Sequence, residues 1–236
     1  MLATTGCGGG SLKEVVEESH PNGSKKKVSM YAGRTAMRTT FYFENGQMQS
    51  DRFFNKAGEP DSVMTIYRAD GGVDKQTWFS NGTKHGWERS WYPSGQVRAE
   101  GEFKEDTPIG RHASYFEDGK VAMEVSFVDG RKHGEEIDYF ANGNKKRVRP
   151  FANGDIDGVE QEFFENGKIK VEHTYVKGTL NGPFTFYSKN TGKKVEEGGY
   201  RTGQYHGDRI MYDERSGRRK SKATYDNGTM TFGEFF

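Results

Sequence analysis

The chain predicts an all-β fold, an elongated antiparallel sheet of repeated β-hairpins. Three observations carry that prediction. A unit opening at Gly86 recurs at Gly110, Gly134, Gly158 and Gly182, each 24 residues on, and at Gly207, 25 on; self-similarity at a fixed period marks a repeat architecture. Turn residues fall about every 12 residues, with aromatic and β-branched residues between them, a spacing suited to short antiparallel strands. Between turns the side chains alternate: Val121, Met123, Val125 and Phe127 against Lys120, Ala122, Glu124 and Ser126. Such alternation puts one set on each side of a sheet. No long stretch shows a helical period.

Within each unit the parts recur in order. The opening Gly often follows His or Asn. An aromatic pair comes next, as in Trp91-Tyr92, Tyr115-Phe116, Tyr139-Phe140 and Phe163-Phe164. A second Gly follows at Gly95, Gly119, Gly143 and Gly167, and eight residues later another aromatic, at Phe103, Phe127, Phe151 and Tyr175. The Asn-Gly and Asp-Gly pairs favour the positive-φ turns that join hairpin strands. A Glu recurs at the fifth place after the second Gly, at Glu100, Glu124, Glu172 and Glu197. Leucine-rich repeats have a similar period, but Leu2, Leu12 and Leu180 are the only leucines, which excludes them.

This scheme resembles the MORN repeat variant (MORN-2 type) family, whose unit runs roughly GxxxxYYxNGxxxxExxYxNGxxxG. The resemblance covers about residues 19–236. Bacterial proteins built this way are often labelled YwqK-like antitoxins, so the resemblance implies a non-catalytic binding role of that kind, with no cofactor.

Along the chain, residues 1–11 lie outside the repeat. Thr5-Gly6-Cys7 followed by a Gly run resembles the end of a bacterial lipoprotein signal, with Cys7 as the lipidated residue. Neither a charged n-region nor room for an apolar h-region precedes it, so an ordinary thiol on a tail is the other reading. Residues 12–236 are expected to form a single repeat domain, since each repeat contacts mainly its neighbours. Within it, 12–85 holds an N-terminal capping half-unit and degenerate repeats, 86–207 the regular repeats and 208–236 a C-terminal cap. There Phe232, Phe235 and Phe236 are placed to close the core. Apolar residues make up 32% and mean hydropathy is −0.95, yet aromatics reach 14%. Burial is therefore expected to rest on aromatics, which carry large apolar area each. The 35 basic and 34 acidic residues give a net charge of +1, so global charge points to neither nucleic acid nor an acidic membrane.

Candidate chemistry is sparse. His85, His133 and His206 precede opening glycines and are read as turn residues, because a residue that recurs with the fold is explained by the fold. Repeats advance about 10 Å each, too far for such histidines to share one metal ion. The recurring Glu is expected to pair with Lys or Arg across strands on a solvated face. No GxSxG, P-loop, GxGxxG, CxxC or HExxH is present, so no standard motif supports an enzyme. Two surfaces remain. Lys145, Lys146, Arg147, Lys168, Lys170, Lys193, Lys194, Arg218 and Arg219 follow second glycines and would line a basic ridge, facing an anionic partner or merely keeping the edge soluble. Aromatics of the regular repeats are expected first to pack the sheet; an exposed stripe of Trp87, Trp91, Tyr115, Tyr139 and Phe163 is the second reading and the candidate contact surface.

The function expected is a non-catalytic protein-binding or scaffold module, antitoxin-like in the sense of the resemblance. The alternative is a cell-envelope lipoprotein whose repeats bind surface components or anionic headgroups. Localisation follows Cys7: the envelope if it is lipidated, the cytoplasm otherwise.

Overall fold

The computed structural model describes residues 11–236, and every regular element among them is a β-strand. Cys7 lies outside the described residues. Two compact units divide the chain after Pro108. The first holds β1 (Lys13–Ser19), β2 (Lys25–Ala32), β3 (Thr35–Tyr42), β4 (Met48–Phe53), β5 (Ser62–Tyr67), β6 (Val73–Ser80), β7 (Thr83–Trp91) and β8 (Val97–Lys104). The second holds β9 (Thr107–Tyr115), apart from its first two residues, then β10 (Val121–Val128), β11 (Arg131–Tyr139), β12 (Lys145–Ala152), β13 (Asp155–Ile156), β14 (Gly158–Phe163), β15 (Ile169–Val176), β16 (Thr179–Tyr187), β17 (Lys194–Arg201), β18 (Gln204–Tyr205), β19 (Gly207–Tyr212), β20 (Arg219–Asp226) and β21 (Thr229–Phe235). Within each unit the strands pair antiparallel with their sequence neighbours.

Two kinds of turn alternate along the chain. Asn81-Gly82, Asp129-Gly130, Asn153-Gly154 and Asn227-Gly228 have positive φ at both residues. That is the tight hairpin turn whose twist matches its strands. The other kind holds the second Gly of each repeat. In it the Gly95 N–H donates to the Tyr92 carbonyl and the Tyr92 N–H to the Gln96 carbonyl, both at 2.9 Å. Just beyond it the register slips: Ser90 faces Ala99 but Trp91 faces Val97, leaving Arg98 as a bulge. Lys146 and Lys170 are the bulged residues of later repeats.

The opening glycines are not at turns. Glu124 faces Ile137 and Ser126 faces His133, so Gly134, Glu135 and Glu136 bulge opposite Val125 alone. His85 and His133 accordingly lie inside β7 and β11 and His206 between β18 and β19. This corrects their reading as turn residues. The glycine supplies the left-handed φ that the bulge needs, +77° at Gly134 and +125° at Gly182.

The register of the second unit puts Ile137, Val148, Gln161, Glu172, Thr185, Glu197, Ile210 and Lys222 in one lateral row. We call its side the first face. Residues one step along each strand, such as Val125, Arg149, Glu160, His173 and Phe184, lie on the second. The buried apolar residues are Val28, Ala113, Val125, Val148, Val171, Phe184 and Ile210. Only one is aromatic. The recurring Phe127, Phe151, Tyr175, Tyr200 and Tyr225 are half-buried, so the fully buried positions are mid-strand ones on both faces, mostly small and aliphatic, with Phe184 the one ring among them. β21 forms as a strand, but Phe232, Phe235 and Phe236 are 50%, 92% and 64% exposed. They do not close the core.

Candidate interaction surface

Tyr115, Tyr139 and Phe163 each end a strand of the second unit, two residues past Ala113, Ile137 and Gln161. Alternation puts all three on the first face. In the first unit Trp87 and Trp91 flank Arg89 on β7 and share its side, with the Arg89 guanidinium over the Trp87 ring at 5.2 Å. Trp87 is exposed; Trp91, Tyr115, Tyr139 and Phe163 are half-buried.

Three tyrosines at strand ends are tied to glutamates of the preceding repeat. The Tyr139 hydroxyl donates to Glu124 at 2.7 Å and the Tyr187 hydroxyl to Glu172 at 2.8 Å. Tyr212 donates to Glu197 in the same way. Glu124, Glu172 and Glu197 therefore each receive a tyrosine from the following repeat, and two of them also have a cross-strand partner, Arg111 at 3.0 Å for Glu124 and Gln161 at 2.8 Å for Glu172. Tyr139 and Arg111 hold the Glu124 carboxyl below its usual range against the opposing effect of burial. Burial, and then Glu124, push the Tyr139 phenol up to about 12.

Aliphatic side chains supply the exposed apolar surface on the same face of the second unit. Val128, Val159 and Val176 are 54%, 47% and 43% exposed. Sequence reasoning overlooked them in favour of aromatics. The available signal was position: Val128 and Val176 both stand just before a tight turn, two periods apart.

The residues of the basic ridge have varied neighbours. Lys168 and Lys193 donate to the carbonyls of Asn190 and Arg215 in the next turn, at 2.9 and 2.7 Å. Asn142 does likewise to Glu165 at 2.9 Å, so successive turns are laced together. Lys170 pairs with Glu162 at 3.0 Å and Lys194 with Glu197. Lys146 lies 6.0 Å over the Phe140 ring. Lys145 and Arg219 stand opposite Tyr139 and Tyr212, and the Arg218 backbone N–H is held by Ser216. Arg147 sits on the second face, bound to Asp138 at 2.9 Å. A concavity of about 420 Å³ lined by Phe140, Lys146, Arg147, Phe164 and Lys170 also holds Glu162 and Glu165, so acids share the ridge.

The second face carries charge inside its buried row. Glu136, 3% exposed, is bonded by both Lys132 and Arg149, and Arg149 also reaches Asp138 at 3.4 Å. Burial, with Arg149 nearby, lowers the Lys132 pKa. The first unit repeats the device with Glu88 between Lys75 at 3.0 Å and Lys84 at 2.9 Å. Burial would raise the Glu88 carboxyl, but the two lysines bring it below its ordinary value. The motif Lys-x-x-x-Glu at 84–88 and 132–136 was its unread signal. The arrangement neutralises charge. His112 packs edge-on to Phe127 at 4.7 Å, and His173 among Phe184, Phe186 and Tyr200. Among the described residues no three His, Cys, Asp or Glu side chains are grouped to hold a metal ion.

A chain of antiparallel hairpins joined by alternating turns agrees with what comparison finds. Residues 38–56, 84–105, 132–153 and 156–177 match the MORN repeat variant family. These four stretches are similar to MORN repeats. Such repeats are generally non-catalytic binding modules. No curated protein matches the chain.

Proposed function

We propose that this MORN-repeat chain is a non-catalytic module that binds another protein through the first face of its second unit. The observation that carries the reading is the exposure of Val128, Val159 and Val176 on the face whose tyrosines and glutamates are tied to one another. Pairing among the polar groups leaves apolar side chains as the available contacts, and apolar surface left open on a soluble face marks interaction sites. A repeat array offers several similar shallow places in a row, which suits an extended protein partner. An antitoxin-like module would use this face to cover a toxin.

The test is crosslinked affinity capture from native cells with the natural chain and with Val159→Lys/Val176→Lys. One protein recovered at equal stoichiometry, and lost with the double variant, supports the reading. The same proteins recovered with both chains overturn it.

A second reading rests on Thr5-Gly6-Cys7 and the glycines after it: a lipid on Cys7 would hold the repeats at the cell envelope. Mass spectrometry of the N-terminal peptide decides it. A lipid-modified Cys7 supports the envelope, and an unmodified Cys7 removes it.

A further inference from the structure

We propose that β21 is a self-pairing strand, joining the β21 of a second copy of this chain about a two-fold axis. Among the described residues β21 pairs with β20 alone. Its outer edge therefore presents unpaired N–H and C=O groups, a template for another strand. β1, which among the described residues pairs with β2 alone, treats this hazard differently. β1 carries Lys13, Glu14, Glu17 and Glu18 in seven residues, a charged edge that discourages pairing. β21 carries only Glu234 and exposes Met230, Phe232 and Phe235, 61%, 50% and 92%.

The register of the contact follows from the backbone. The Phe236 N–H donates to the Lys220 carbonyl at 3.0 Å, so Phe236, Glu234 and Phe232 point their backbone groups at β20. Gly233 and Phe235, one step off, point outward, since the direction alternates along an antiparallel strand. With Glu234 on the axis, Gly233 of each copy faces Phe235 of the other in hydrogen-bonded pairs. The side chains agree with this register. Gly233, Ala223 and Ser221 form part of a concavity of about 440 Å³, walled by Met211, Tyr225 and Met230. Its rim carries Arg209, Lys222, Glu234 and the chain's own Phe235. The missing side chain at Gly233 leaves space for an aromatic ring, and Phe235 is a ring 92% exposed at the rim of that space. A phenylalanine laid across a cross-strand glycine is a known stabilising pair. Phe232 would face Phe236 on the other side. Lys222 stands opposite Glu234 on β20, with its ammonium paired to Asp208 at 2.9 Å. Glu234 is only half-buried, so the two axial carboxylates meet at a solvated edge.

The second copy is the occupant because the pairing closes on itself. A β21–β1 contact would be head-to-tail, would bring charged β1 against the apolar edge, and would grow without end.

The experiment uses the full chain with Cys7→Ser, the only native cysteine. Opposed residues on the axis lie about 4.5 Å apart at Cα, within disulfide reach. Glu234→Cys is expected to form a disulfide dimer under mild oxidation and nothing larger. Phe232→Cys, whose copies stand several residues apart in this register, stays uncrosslinked. In sedimentation velocity without added cysteine the chain is expected to show a concentration-dependent dimer. Phe235→Ala should weaken it about tenfold or more while leaving the melting temperature of the dilute monomer in place. A chain monomeric at every concentration, a ladder of higher oligomers, or crosslinking through Phe232→Cys in place of Glu234→Cys would overturn the proposal.

Discussion

The Tyr139 hydroxyl donates to the Glu124 carboxylate across 2.7 Å, from one repeat back to the one before it, fifteen residues earlier. Tyr187 with Glu172 and Tyr212 with Glu197 repeat the contact at the same separation. A hydrogen bond to a charged group outweighs one between neutral groups, and half-burial moderates it. Tyr139→Phe is expected to cost about 1 kcal/mol, Glu124→Gln a similar amount, and the double variant less than their sum. Urea unfolding of the four chains measures the coupling; strictly additive costs would mean that the pair does not act as a unit.

One rung lacks both partners together. Val148 stands in the glutamate's place and Phe163 in the tyrosine's, again fifteen residues apart. A hydroxyl without its carboxylate, or a buried carboxylate without its hydroxyl, would be worse than neither. Val148 is 6% exposed, so Val148→Glu alone should destabilise by about 2–3 kcal/mol. Adding Phe163→Tyr should recover about 1 kcal/mol of that. Equal stabilities for the single and double variants would show that the site cannot accept the staple.

The staple also sets a pH window. Burial and Glu124 raise the Tyr139 pKa from 10 to about 12. A raised pKa gives stability that is complete below the unfolded value and lost as pH climbs through the folded one. The lowered Glu124 pKa gives stability present above the carboxylate's ordinary value and lost on acidification through its folded value. The stability difference between the natural chain and Tyr139→Phe should therefore be level at neutral pH and shrink between about pH 10 and 12. Absorbance at the tyrosinate band should show Tyr139 ionising after the exposed tyrosines. Simultaneous ionisation of all tyrosines would contradict the assigned environment.

How much of this was legible in sequence depended on what repeats locally. Turns and strands were readable because Asn-Gly, Asp-Gly and alternation are one-dimensional signals, and β10 and β15 follow their patterns. The place of Gly134 was misread. A glycine after histidine looks like a turn, and only the register of β10 against β11 shows that Asp129-Gly130 has already made the turn. The recurring Glu was legible as a cross-strand partner, as with Arg111 and Glu124. Its tyrosine was not, because the bond spans fifteen residues and depends on which face each side chain takes. Expecting aromatics to fill the core holds only in part: Phe184 is fully buried, but the recurring rings are half-buried and small side chains such as Ala113, Val125 and Val148 take the other buried mid-strand positions.

Gly182 and Gly134 separate two costs of replacing an opening glycine. Both have positive φ. A Cβ at Gly182 would meet Thr174 Cγ2 at 2.9 Å, whereas one at Gly134 would meet nothing within 4 Å. Gly134→Ala should cost about 1 kcal/mol from backbone strain alone. Gly182→Ala should cost about 2–3 kcal/mol, since clash adds to strain. Thr174→Ser in the Gly182→Ala background removes the obstructing methyl and should recover part of the loss. Equal melting temperatures for the two alanine variants would show that the Thr174 contact carries no weight.

Glu136 is the most deeply buried carboxylate among the ion pairs of the second unit, held by Lys132 and Arg149 together. Replacing a charge in such a cluster leaves its partners uncompensated, and that loss exceeds what the pair contributes over apolar packing. Glu136→Gln keeps the shape, removes the charge, and should destabilise by about 3 kcal/mol. Arg149 retains Asp138 at 3.4 Å, so Lys132 is the cation left stranded. Its lowered pKa already shows the strain of burial on its charge. Adding Lys132→Met should therefore restore stability to within about 1 kcal/mol of the natural chain. Thermal melts of the three chains decide it: a double variant no better than Glu136→Gln would locate the loss at Arg149 instead.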